Sequence, residues 1–106
     1  LLTEARAARD ELAGRLGKLP TSQRPAAATG GYNKVTGEVA AGCSTGRGQC
    51  AEDVVVELLG GDRSKIGLTE AVRPRPIDPP FTEVPICERC QAKYPATMFP
   101  SGTKMK

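Results

Sequence analysis

Cys43, Cys50, Cys87 and Cys90 are the residues of this chain best suited to chemistry, and their spacing divides their roles. Cys87 and Cys90 stand at i and i+3, so on one helical turn their thiolates share a face and can grip a single metal ion. Cys50 lies at the start of a segment, residues 49–59, with helical periodicity. The unpaired amides and dipole of a helix N-terminus stabilise a thiolate there. Three thiolates on a zinc ion leave the fourth corner of its tetrahedron free, which distinguishes a catalytic zinc from a closed structural one. Glu52 follows Cys50 by two residues, about 200° around an ideal helix. The two side chains therefore converge only at the helix tip, where a metal held between two helix tips would have Glu52 beside its water and not as a ligand.

Each of these residues has a plainer reading. Cys87 and Cys90 could be a redox pair or a disulfide, Cys50 a buried apolar cysteine, and Glu52 an ordinary acid in a first helical turn. The redox reading is disfavoured by Glu88 and Arg89 inside the motif and by its late position in the chain. A fourth thiolate from Cys43 would close the site into a noncatalytic, Cys-rich zinc module that binds a partner. The six-residue gap between Cys43 and Cys50 fits no usual zinc knuckle, and Cys43 is read as lining the pocket or packing.

The elements that must position these groups follow from periodicity. Leu1, Ala5, Ala8, Leu12, Leu16 and Leu19 recur at helical spacing, with Arg6, Arg9, Arg15 and Lys18 off the stripe, and predict an amphipathic helix over residues 1–20. Residues 20–31 read as an extended connection. A hairpin follows over 32–44, with Val35 and Val39 flanking a Thr36-Gly37 turn, and 42–48 form a loop. In the second helix, 49–59, the stripe is Ala51, Val54, Val55 and Leu58, and Gly60-Gly61 end it. Residues 64–73 predict a central strand, 74–85 a proline-rich loop, 86–94 a short third helix, and Met98-Phe99 a last short strand.

The whole chain, 1–106, reads as one domain with a thin core, because aromatics make up 4% of residues and Trp is absent. A bound metal is a plausible staple for such a core. The net charge of +3, from 15 Lys+Arg against 12 Asp+Glu, is a mild bias that permits an acidic partner without proving one. No apolar run reaches the ~18 to 20 residues of a membrane span, so no membrane partner is expected. The chain opens at Leu1 and is read as a domain cut from a longer protein that carries the targeting information.

Cys50-Ala51-Glu52 followed by Pro85-Ile86-Cys87-Glu88-Arg89-Cys90 resembles the cytidine-deaminase superfamily signature, H-x-E then P-C-x-x-C on two helices. The order hairpin, helix, strand, helix is similar too, over residues 32–106. Cys50 replaces the signature's His, and the proline stands two residues before Cys87 instead of adjacent to it. Both features resemble bacterial polymorphic-toxin deaminases of the YwqJ-type branch. The resemblance implies an α/β fold, a three-layer α/β/α arrangement with a mixed sheet and zinc between two helix N-termini.

It also implies Zn2+ on Cys50, Cys87 and Cys90, with Glu52 shuttling protons from water to the ring nitrogen and then to departing ammonia. The implied reaction is cytosine to uracil in single-stranded DNA, with RNA or a free nucleoside as alternative substrates. The implied setting is an antibacterial toxin, secreted within a larger protein, acting in the target-cell cytoplasm and neutralised by an immunity protein. Candidate substrate contacts are Tyr32 and Phe81 as stacking rings, Asn33, Ser44 and Thr45 from their position before the second helix, Cys43 in the pocket wall, and Arg73, with Arg75, toward a phosphate backbone.

Overall fold

A computed structural model describes residues 1–106. In chain order the elements are helix α1 (Leu2–Gly17), strands β1 (Ala28–Asn33) and β2 (Val39–Cys43), helix α2 (Ala51–Leu58), strands β3 (Ile66–Leu68), β4 (Ala71–Val72) and β5 (Glu83–Val84), and helix α3 (Glu88–Lys93). Strand β1 is the spine of the sheet. It pairs with β2 on one side and with β3 and β4 on the other, and β5 extends the sheet beyond β4. Every ladder is antiparallel. The parallel character expected of the sheet is confined to a single bridge, Ile86 to Met105. No helix is long and apolar enough to cross a membrane.

Successive residues of a strand face opposite sides of its sheet, and β1 uses this to carry a helix on each face. A β-carbon at Gly30 would lie 2.3 Å from the Ala5 carbonyl oxygen of α1, and one at Gly31 would lie 2.6 Å from Cγ1 of Val55 in α2. The backbone of α1 on one face and the Val55 side chain of α2 on the other come too close for a side chain at either glycine, and the result is three layers: α1, the sheet, then α2. On the α2 side, Val55, Val56, Leu59, Ile66, Leu68, Ile86, Cys90, Tyr94, Met98 and Phe99 share one core, which brings α3 onto the same face as α2. On the α1 side, Ala13, Ala28, Val72 and Phe81 form a smaller core with Leu12, Leu16 and Cys43 against it.

The close packing of α1 corrects the stripe predicted from its leucines. Its buried residues are Ala5, Ala13 and Gly17, whereas Leu1 and Leu19 are exposed. Arg9, expected on the polar side, has a side chain only 11% exposed. Its guanidinium donates to the Glu70 carbonyl at 3.0 Å, while Arg6 grips the Glu70 carboxylate through two hydrogen bonds of 2.9 and 3.1 Å. Glu70 and Thr69 interrupt the strand predicted over 64–73. There the Thr69 hydroxyl accepts from the Gly30 amide at 3.0 Å and lies 3.3 Å from the Thr29 hydroxyl.

Other boundaries move for similar reasons. The first strand lies over 28–33 and not after residue 32, while Val35 is exposed in the hairpin turn that Gly37 completes at φ +78°. In α2, Leu58 of the expected stripe is exposed and the buried face is Ala51, Glu52, Asp53, Val55 and Val56. The proline-rich segment contains β5. Met98 ends a 3-10 turn, Ala96–Met98, instead of starting a strand, and buries itself beside Phe99.

Candidate metal centre

Cys50 and Cys87 occupy equivalent stations, the N-caps of α2 and α3, both with extended backbone. An N-cap side chain projects past the first turn toward unpaired backbone amides, so the tips of the two helices present their sulfurs to each other. Cys90, three residues into α3, completes the group. The Cys50 and Cys87 sulfurs are 3.6 Å apart, and all three sulfurs lie within 4.8 Å of one another. A tetrahedral ion at the usual zinc–sulfur distance of about 2.3 Å sets its ligand sulfurs about 3.8 Å apart. The donor set therefore fits one thiophilic ion. The chain contains no histidine, so no imidazole competes for the role.

Glu52 enters the same cluster. Its side chain is buried, and Oε1 lies 3.8 Å from the Cys90 sulfur, the thiol donating to the carboxylate. Burial pushes its carboxyl above the ordinary glutamate value. Burial also raises the Cys50 and Cys90 thiols. Cys87 is held below its ordinary value because the Cys90 amide and the neighbouring thiols outweigh its desolvation.

Asp53, unassigned from the sequence, locks the two cysteine-bearing helices together. Its buried carboxylate accepts from the Cys50 amide at 3.3 Å, from Lys93 Nζ at 2.8 Å, from Arg89 at 3.3 Å and from the Tyr94 hydroxyl. Burial alone would raise this carboxyl, but Lys93, Tyr94 and the Cys50 amide hold it below its ordinary value. The spacing Cys50-x-x-Asp53 carries the signal, since an acid three residues after an N-cap is the returning half of a capping box.

A small chamber of about 180 Å³ opens beside the cysteines. Ala27, Ala51, Ala71, Val84 and Pro85 make it apolar, and Cys50, Cys87 and Glu52 stand in its wall. It is smaller than the roughly 300 Å³ at which drug-sized pockets begin, a volume for one ring. Outside it runs a polar groove of about 520 Å³, lined by Arg24, Ser44, Thr45, Gln49 and Arg89 among others.

Among the expected substrate contacts, Ser44 lines both spaces, its hydroxyl accepting from the Ala26 and Ala27 amides, and Thr45 lines the groove. The others are not brought to the cysteines. Cys43 packs against the α1-side core, on the opposite face of the sheet from Gly42, which meets Val54 and Val55. It is therefore not a fourth ligand, and burial raises its thiol. Asn33 sits at the far end of β1, its side-chain Oδ1 accepting from the Val35 and Thr36 amides and its Nδ2 donating to the Leu59 carbonyl. Tyr32 at that same end covers Gly67. Arg73 is exposed at the end of β4 and lines neither the chamber nor the groove. Phe81 belongs to the α1-side core.

In comparisons with known proteins, no family model matches this chain, and neither a curated protein nor a solved structure matches it.

Proposed function

We propose that this domain is a zinc-dependent nucleobase deaminase of the cytidine-deaminase type, converting cytosine to uracil in single-stranded DNA. The observation that carries the reading is the meeting of three thiols with one buried carboxylate, of which Cys50, Cys87 and Glu52 form part of the wall of a small apolar chamber. Cys50, Cys87 and Cys90 would hold the ion, which supplies Lewis-acid activation of water.

The chain's own residues do the rest. Glu52, buried and aimed into the cluster, takes a proton from the attacking water and delivers it to the ring nitrogen beside the attacked carbon. A second transfer lets the amino group leave as ammonia, so that water and cytosine become uracil and ammonia. The alanines and Val84 exclude bulk water and accept the faces of a flat ring. The converging helix N-termini offset the negative charge of a three-thiolate site, which is anionic where one histidine and two cysteines would be neutral. The YwqJ-type resemblance supplies the proposed setting, a secreted toxin acting in the target-cell cytoplasm and countered by an immunity protein.

A second reading has an observation of its own. Glu52 Oε1 touches the Cys90 sulfur at 3.8 Å although it does not belong to the group of three sulfurs, and a shift of its side chain onto the ion would make a closed, noncatalytic centre in an interaction module. Incubating the metal-loaded chain with a single-stranded oligonucleotide containing one cytosine separates them. Uracil-dependent strand cleavage is the expected result. Conversion of RNA or free cytidine with DNA untouched would move the substrate, and no conversion of any base would favour the closed module.

A further inference from the structure

The groove outside the chamber carries charge of one sign. Its walls come from the turn after α1, from the loop after β2 and from α3, and its charged residues are Arg24 and Arg89. No carboxylate lines it. The larger cavity between α1 and the proline-rich segment, about 700 Å³, differs in this respect, mixing Asp10, Glu11 and Asp78 with Arg15 and Lys18. Groove and chamber share Ala26, Ser44 and Cys50, so the two spaces adjoin.

Both guanidiniums are steadied with donors to spare. Arg24 Nε donates to the Leu19 carbonyl at 2.9 Å, which leaves its terminal nitrogens uncommitted. Arg89 donates through one terminal nitrogen to the Gly48 carbonyl and to Asp53, leaving the other edge of its fork. A planar fork with free N–H groups beside a ring-sized slot is suited to an oxyanion attached to the ring's sugar.

We propose that this groove binds a phosphate of the substrate through Arg24 and Arg89, so that the site selects a nucleotide, free or within a strand, over a base or nucleoside. The inference rests on the deaminase reading for the ring in the chamber, and it assigns the phosphate to two arginines outside the three thiolates and Glu52.

Binding of deoxycytidine, deoxycytidine 5′-monophosphate and a short cytosine-containing DNA strand to the zinc-loaded Glu52→Gln chain, by calorimetry, tests it. The monophosphate is expected to bind at least about tenfold tighter than the nucleoside, and Arg24→Gln or Arg89→Gln to remove about tenfold of that preference. Arg73→Gln is expected to leave it unchanged. A strand that binds tighter than the monophosphate identifies phosphodiesters as the source, and equal binding identifies the free nucleotide.

For the strand, the salt dependence of affinity is a second measurement, with a slope whose magnitude falls by about 0.7 for each arginine replaced. A monophosphate that binds no better than the nucleoside, or a preference that survives both substitutions, would overturn the inference. Phosphate preference without ammonia release by the unsubstituted chain would keep the groove and remove the deaminase. Equal ammonia release from nucleoside and nucleotide would do the reverse.

Discussion

Cys50 and Cys87, thirty-seven residues apart, cap two different helices and place their sulfurs 3.6 Å from each other. The relationship makes the thiol cluster a joint between α2 and α3, so under the proposed zinc reading removal of a cysteine has both a binding and a folding consequence. Reduced protein is expected to hold about one zinc per chain. Cys87→Ala or Cys90→Ala is expected to weaken zinc by at least about a hundredfold and to lower the melting temperature of the zinc-treated protein. Chelator competition and thermal melts check this. Full zinc affinity in both variants would mean that the cluster is not the site.

Asp53 holds the same joint through hydrogen bonds. Asp53→Ala leaves the buried Tyr94 hydroxyl without its acceptor and frees Lys93 and Arg89. A loss of about 2 to 4 kcal/mol is expected from urea unfolding. Asp53→Asn keeps an acceptor for Tyr94 and is expected to cost less.

The three-layer packing makes its own demand at Gly30. With the Ala5 carbonyl 2.3 Å from where a β-carbon would stand, Gly30→Ala forces α1 off the sheet. It is expected to destabilise by about 2 kcal/mol or more, measured by the same unfolding curves. Gly37→Ala, in open space at positive φ, tests turn conformation alone.

Glu70 gives the fold a pH dependence. Burial opposes its ionisation, but hydrogen bonds and charge from Arg6 and Arg9 win and hold its carboxyl below the ordinary 4.5. A carboxyl depressed in the folded state stabilises above its unfolded pKa, and that contribution is lost as pH falls through the folded value. Glu70→Gln is therefore expected to cost about 1 kcal/mol at neutral pH. Its deficit should shrink as acid takes the pH below 4.5. Stability measured against pH for both proteins checks this, and a constant deficit would contradict it.

The parts of the site legible in the sequence are those written locally. An i, i+3 cysteine pair and a cysteine at the head of a periodic segment describe single helical turns, and the structure brings these sulfurs together. What the sequence conceals depends on distant backbone. Strand β1, Ala-Thr-Gly-Gly-Tyr-Asn, has almost no side-chain alternation to read, because helices press on its glycines from both sides. The same closeness turns the buried line of α1 toward alanine and glycine and hides Arg9 among them. Cys43 and Asn33 lie near the site in sequence terms but are turned away by strand parity and by the hairpin turn. Arg24 lies in a segment that looks like mere connection, yet it borders the groove.

The most direct test of the central claim is Glu52→Ala, compared with the unsubstituted chain for zinc content and for ammonia released from cytosine-containing single-stranded DNA. A proton-shuttling carboxylate predicts about one zinc per chain in both and a rate lowered by about a hundredfold to ten-thousandfold in the variant. Loss of zinc on substitution would make Glu52 a ligand of a closed centre, and undiminished ammonia release would remove it from the chemistry altogether.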